Sequence, residues 1–224
     1  MAALQRAREA AYPPGEYVGQ ESLMWAGEIR RLAGLARIGP GVRVLDLCCG
    51  VGGPGRFLTA ELDCRYLGPD NSASAVQIAR RLAGDLPCHF AQARVPPLSE
   101  DSYEVVLLLE TMLAFPDKRA LLREVARVLE PGGRFAFTVE EGPPLLPHEW
   151  ADMPDADTVW LVQLATAGAL LRAFRTDSAA ISRRIGTRAA AELIAAHQLW
   201  SDWLRAGRVQ KFAVVAEKRR TEQG

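Results

Sequence analysis

Apolar residues along this chain follow two rhythms. Short continuous apolar runs of strand length alternate with longer stretches where apolar positions recur every three or four residues. The strand-length segments are VRVLDL (42–47), CRYLGPD (64–70), CHFAQ (88–92), YEVVLLL (103–109) and RFAFTVE (134–140), and the first of them reads as a fully buried strand. A helix follows the first run to about Leu62, and a second, capped by Asn71 or Ser72, runs to about Ala83. Residues 21–37 predict a helix before the first strand, and DKRALLREVARVLEPGG (117–133) predicts an amphipathic one with glycine at its stop. Alternating strands and helices predict α/β architecture, a doubly wound, mostly parallel sheet covered on both faces.

After residue 141 the rhythm changes. EGPPLLPHEW is a Pro-rich loop, 157–175 and 187–206 read as helices, and RVQKFAVVAEK (208–218) reads as one more strand. Residues 175–186 are too polar and broken for a buried strand. The expectation is a helical cap after strand five and a reduced sheet or a poorly formed sixth strand, with an edge left open or paired with a second copy as a homodimer. Residues 1–20, broken by Pro13, Pro14, Gly15 and Gly19, read as a polar arm that adds little to the core. No repeat or second domain is visible. The chain reads as one domain, 1–224: arm and helix 1–38, core 40–141, cap 142–206 and final strand 207–218.

The composition narrows the function. In 224 residues, 27 Lys and Arg balance 27 Asp and Glu, and 49% of residues are apolar, which excludes a disordered chain. Zero net charge disfavours nucleic acid or an anionic membrane as partner. The apolar run 105–115 is short and carries Glu110, so it is a buried strand and its exit. Cys48, Cys49, Cys64 and Cys88 have no C-x-x-C spacing and no His cluster beside them, so no metal is expected and the reducing cytoplasm is the expected compartment. The first residues lack the apolar stretch of a secretory leader.

Candidate chemistry centres on VLDLCCGVGGPG (44–55). Gly50, Gly52 and Gly55 match G-x-G-x-x-G between a strand and a helix, and Asp70 stands twenty residues past Gly50 at the end of the second strand, where an acid takes ribose hydroxyls. A nucleotide-type cofactor follows, with NAD the first rival. Two residues argue against NAD. Asp46, immediately before the turn, repels a pyrophosphate and attracts a cationic amino group. Pro54 removes an N–H from the helix start that pyrophosphate would use.

With Asp46, Gly50 and Gly52, then Gly68-Pro69-Asp70-Asn71-Ser72, then Ala91-Gln92-Ala93-Arg94, then Leu109-Glu110-Thr111-Met112-Leu113, and with LLREVARVLEPGGRF (121–135) as an echo, the sequence resembles the class I S-adenosylmethionine (SAM) dependent methyltransferases. The resemblance covers about residues 17–140 and implies a Rossmann-like sheet with SAM as cofactor. It implies that Asp46, Cys48, Gly50 and Gly52 hold the methionine part. Any side chain at Gly52 is then expected to fill that space or to force an unfavourable φ, abolishing SAM binding while the thermal melt stays cooperative. Cys48 stands where the family's first glycine is usual. Asp70 and Asn71 would take the ribose; Gln92, with Ala93 and Arg94, would meet the adenine where the family more often has Asp. Leu109 and Glu110 would line the methyl-transfer face.

The reaction implied is an in-line displacement on the sulfonium methyl by a small-molecule acceptor. The catalytic candidates are Tyr17, Glu110 and His148. Tyr17 precedes the first core helix in Tyr-Val-Gly-Gln, similar to an arm that closes over the site in small-molecule members, and is otherwise a surface turn. His148, in the Pro-rich loop, is a candidate base or an exposed loop residue. His197 sits mid-helix and reads as core or surface, and Trp200 and Trp203, on one helix face, read as core before pocket. Residues 200–218 resemble the ends of the glycine/sarcosine N-methyltransferases and quinone-ring methyltransferases. A catalytically weak or non-catalytic SAM-fold binding protein and an NAD-dependent oxidoreductase are the other readings.

Overall fold

The computed structural model describes residues 2–141 and 164–220. Six strands are present among them: β1 (Arg43–Asp46), β2 (Arg65–Asp70), β3 (Cys88–Gln92), β4 (Tyr103–Leu108), β5 (Leu129–Glu141) and β6 (Gln210–Glu217). They form one sheet in the order β3-β2-β1-β4-β5-β6. The first five are parallel, with Val44 of β1 opposite Tyr66 on one side and Val105 on the other. The amides of Gly132 and Lys218 bond the carbonyls of Lys218 and Gly133, so the end of β6 meets the start of β5 and the two run antiparallel. Strand order reverses between β1 and β4. Such a switch point opens a crevice beyond the carboxyl ends of the strands, where α/β sheets bind ligands.

Contacts group the described residues into two compact units. The sheet unit consists of Val18–Glu21, Ala26–Val139 and Ala213–Gly224. Its helices are α2 (Ala26–Leu35), α3 (Gly53–Leu62), α4 (Ala73–Ala83) and α5 (Lys118–Val128). Leu121, Val125 and Val128 share one face of α5 and pack with Leu45, Val106, Leu108 and Phe135 from the strands. Asp117 caps α5 by accepting from the Ala120 amide at 2.8 Å, and Ser72 caps α4 by accepting from Ala75 at 3.3 Å. Replacing Ser72 with Ala is expected to cost about 1 kcal/mol, a melting-temperature loss of roughly 2–4 °C in a thermal melt. A cleft of about 210 Å³ lies at the amino end of the strands, between Arg37, Glu104, Glu130 and Arg134. Arg43–Glu130 and Arg134–Glu217 ion pairs occupy this end of the sheet, away from the switch point.

The sequence places a glycine stop and then a strand at 134. Instead α5 ends at Val128 and β5 begins at Leu129. Glu130 to Gly133 form an irregularity, because Tyr103 pairs with Leu129 but Val105 already pairs with Arg134. Lys218 takes over the helix stop. Its Nζ donates to the carbonyls of Ala126 at 2.7 Å and Leu129 at 2.6 Å, so a cation sits where the carbonyl ends of the helix collect.

The helical unit consists of Met1–Tyr17, Ser22–Trp25 and Glu140–Phe212. Its helices are α1 (Ala2–Glu9), α6 (Leu164–Thr176), α7 (Ser178–Ile185) and α8 (Thr187–Arg205). Tyr12, Leu23, Leu170, Phe174, Ile181, Trp200 and Trp203 form its core, the two indoles meeting edge to face at 5.1 Å. The tryptophans are therefore core. So is His197, which bonds the Leu193 carbonyl at 2.8 Å, stands edge-on to Phe174, and has its pKa lowered by burial. The arm expected at 1–20 is corrected by α1: Ala7, Ala11 and Tyr12 are buried, so the alanine-rich start contributes to this core. The polar stretch 175–186 is the end of α6 and all of α7, and among the described residues no strand stands between β5 and β6. β6 is thus the outermost strand on that side, with Phe212 41% exposed.

Candidate functional site

Three neighbouring strands deliver the candidate residues to the switch point. β1 ends in Asp46, β2 in Asp70 and β3 in Gln92; Asp70 and Gln92 pair directly in register. The turn after β1 is left-handed at Cys48 (φ 60°), Gly50 (φ 55°) and Gly52 (φ 72°). At Gly50 that conformation is cost-free, but Cys48 bears a Cβ and holds it at some cost in strain. Burial, followed by the charges of Asp70 and Asp46, pushes the Cys48 thiol up to about 12, so this cysteine is a neutral lining group.

Asp70 is fixed by the turn. Its Oδ2 accepts from the Gly50 amide and its Oδ1 from the Ser72 amide, both at 2.8 Å. A carboxylate has about four acceptor positions, so each oxygen retains one for an incoming hydroxyl. Glu21 brings another carboxylate near: its Oε2 lies 2.8 Å from where a Gly50 Cβ would stand. Asp46 is buried, and the Tyr66 hydroxyl donates to its Oδ2. Burial raises the Asp46 carboxyl to about 7; the Tyr66 hydrogen bond lowers it and the Asp70 charge adds to the rise.

Gly52 corrects an expectation. A Cβ there would lie 2.4 Å from the Phe90 ring and 3.0 Å from Ala79. A side chain at 52 therefore runs into β3 and α4, and the glycine is demanded by packing. The Gly52 amide is also spent, donating to the Cys49 carbonyl at 2.9 Å. Gly53 admits the chain of Gly19 and Gln20, whose backbone atoms come within 2.3–2.5 Å of a Cβ at that position. The loop Val18–Glu21 is held over the start of α3 in this way, and Arg56 ties the turn by donating to the Val51 carbonyl at 2.6 Å.

The remaining candidates are spread more widely. Asn71, Gln92 and Arg94 are exposed, and the Ala93 amide donates to the Asp70 carbonyl at 2.9 Å. Leu109 and Glu110 are buried at the exit of β4. Glu110 has φ 58°, and its amide donates to Thr138 Oγ1 of β5 at 2.7 Å. A glutamate in the left-handed region is strained, as residues at functional sites often are. Tyr17 packs on Tyr12, ring centroids 5.2 Å apart, within the helical unit. His148 lies outside the described residues.

A family described as a methyltransferase domain matches residues 44–133. That stretch runs from β1 through the Asp46 turn and Asp70 to the bulge of β5. Over residues 44–133 the chain is similar to a methyltransferase domain. Methyltransferase GfsG of Streptomyces halstedii is 34% identical over 110 residues, 45% of this chain and 38% of that protein. The 27-O-demethylrifamycin SV methyltransferase of Amycolatopsis mediterranei is 35% identical over 113 residues, 48% of this chain and 42% of that protein. The chain thus spans about two fifths of the length of these curated relatives. The cyclopropane synthase MmaA2 of Mycobacterium tuberculosis has the same fold, with a TM-score of 0.78 at 12% identity, covering 97% of this chain and 94% of that one.

The donor set around the turn fits SAM, the cofactor that the resemblance implies. Asp46 offers an anion for a cationic amino group, and Asp70 offers two oriented acceptors for a pair of hydroxyls. Pro54, in the first turn of α3, withholds a donor that a pyrophosphate would need. Reading the sequence missed Tyr66, Glu21, Phe90 and Thr138. The space made for Tyr66 shows only in the fold: a Cβ at Gly55 would lie 2.2 Å from its ring and one at Gly68 3.0 Å away.

Proposed function

We propose that the protein transfers a methyl group from SAM to a small-molecule acceptor by in-line displacement. The observation that carries this reading is the pair of carboxylates, Asp46 and Asp70, set at the carboxyl ends of adjacent strands on either side of a left-handed turn. When bound, SAM supplies a methyl already activated on a sulfonium. The protein then contributes mainly position, on the order of 7–11 kcal/mol when reacting atoms are well oriented. Asp46 holds the amino group, the backbone of Cys48, Gly50 and Gly52 borders the methionine part, and Asp70 with Asn71 takes the ribose. Gln92, flanked by Ala93 and Arg94, presents its amide to the adenine. Leu109 and the strained Glu110 line the reacting face. Tyr17 and His148 remain the candidates for the acceptor's part of the reaction, His148 as a base for acceptors that need one. The protein works in the cytoplasm, as one domain, and its β6 edge is the natural seam of a homodimer. Among the described residues no helix is long and apolar enough to cross a membrane.

Titration calorimetry with SAM, with its demethylated product and with NAD tests the cofactor. SAM and product should bind and NAD should not; binding of NAD alone returns the chain to an oxidoreductase reading. Transfer of labelled methyl into a metabolite mixture tests the reaction. Cofactor binding without transfer to any acceptor would favour a SAM-binding protein without methyltransferase activity.

A further inference from the structure

We propose that Tyr66 is a positioning residue for the cofactor: by occupying one oxygen of Asp46, its hydroxyl orients the carboxylate and turns the other oxygen to the cofactor's amino group. This inference rests on the SAM reading above. Its basis is geometric. Both side chains are buried, 20 residues apart in sequence, and joined by one hydrogen bond between adjacent strands. The ring has had space cleared for it. A Cβ at Gly55 would sit 2.2 Å from Cζ of Tyr66 and 2.6 Å from its hydroxyl oxygen, and a Cβ at Gly68 would crowd both Cys49 and the ring. Phe90 holds the outer side, centroids 5.7 Å apart. Such a cavity delivers a hydroxyl to one place, and the acceptor at that place is Asp46.

The consequence is a dependence on pH. The groups facing Asp46 are Tyr66 and Asp70 from β2 and the thiols of Cys48 and Cys49 from the turn; β4 offers Leu107 beside it. Burial pushes both thiols and the phenol upward, so these three stay neutral near pH 7. Asp46, raised to about 7, is the group that changes charge. An amino group binds the ionised carboxylate, so affinity is high above the pKa of free Asp46 and falls as pH drops through it. The Tyr66 hydrogen bond favours the ionised form. Removing it moves the acid limb of binding to higher pH, by about one unit for a hydrogen bond to a charged group.

The test is calorimetry of the demethylated cofactor product from pH 5 to 9, on the full chain and on Tyr66→Phe. The ligand's own ionisation is common to both proteins and cancels. An acid limb displaced upward in Tyr66→Phe supports the proposal. A uniform affinity loss with an unmoved limb, or superimposable curves, overturns it and leaves Tyr66 a packing residue. Absence of binding by the unaltered protein at every pH overturns the cofactor reading and the proposal together. If Tyr66→Phe does not fold, a 3-fluorotyrosine at position 66 preserves the shape and makes a stronger donor. The limb should then move to lower pH, and an unmoved limb overturns the proposal.

Discussion

Asp70→Ala should lower the affinity for SAM by at least about a hundredfold while the protein still folds. Two losses combine. The carboxylate is the proposed acceptor for two ribose hydroxyls, and hydrogen bonds to charged groups contribute roughly 1.5–3 kcal/mol each. The same carboxylate holds the Gly50 and Ser72 amides, so its removal also loosens the turn and the entry to α4. At about 1.4 kcal/mol per decade, the ribose contacts alone account for two decades or more. Asp70→Asn separates the two losses, because an amide still accepts from one backbone N–H but carries no charge. Its affinity should fall between the two. Calorimetry on the three proteins decides the matter, and equal affinities would remove Asp70 from the site.

Gly52→Val should unfold the sheet unit or lower its melting temperature by roughly 5–20 °C. The first contribution is strain: a β-branched residue at φ 72° costs about 1–2 kcal/mol. The second is overpacking, about 1–3 kcal/mol, because the new Cβ stands 2.4 Å from Phe90 and 3.0 Å from Ala79. A kcal/mol shifts the melting temperature by about 2–4 °C in a chain of this size. Gly52→Ala with Phe90→Leu opens the colliding space and should recover part of the loss, which a thermal melt measures. A Gly52→Val protein that melts normally but fails to bind SAM would return the glycine to a purely cofactor-facing role.

Legibility in the sequence followed the range of the interaction. β3 was readable to the residue and β2 and β4 to within one, β4 because it is an almost continuous apolar run and β2 and β3 because short apolar segments alternate there with helical stretches. The Ser72 cap was readable because it is set by atoms three residues apart. The start of β5 was not. Glycine after an amphipathic helix reads as a helix stop, yet here the stop comes from Lys218, ninety-two residues beyond Ala126. α1 was hidden by the prolines and glycines that follow it, although alanine is the best helix former. Among the candidate site residues, Asp46, Gly50 and Asp70 were picked out by their fixed spacing. The duty of Gly52 was not, since Phe90 and Ala79 meet it only after the sheet has formed. Tyr66 escaped for the same reason: in a strand, a tyrosine among apolar residues looks like packing until the strand beside it presents a carboxylate.

The division into two units has a consequence for any attempt to shorten the protein. The chain passes from one unit to the other at 17–18, 21–22, 25–26, 139–140 and 212–213. Neither unit is therefore a continuous piece of gene, and no single cut releases either. A fragment ending at 139 forfeits β6 and with it the Lys218 clamp on α5, exposing the flank of β5. A fragment beginning at 21 forfeits Gly19, which fills the space left by Gly53, and also removes Tyr12 from the helical core. To obtain the sheet unit alone, the segment after 212 has to be joined directly to residue 139 and the short piece 18–21 kept in front.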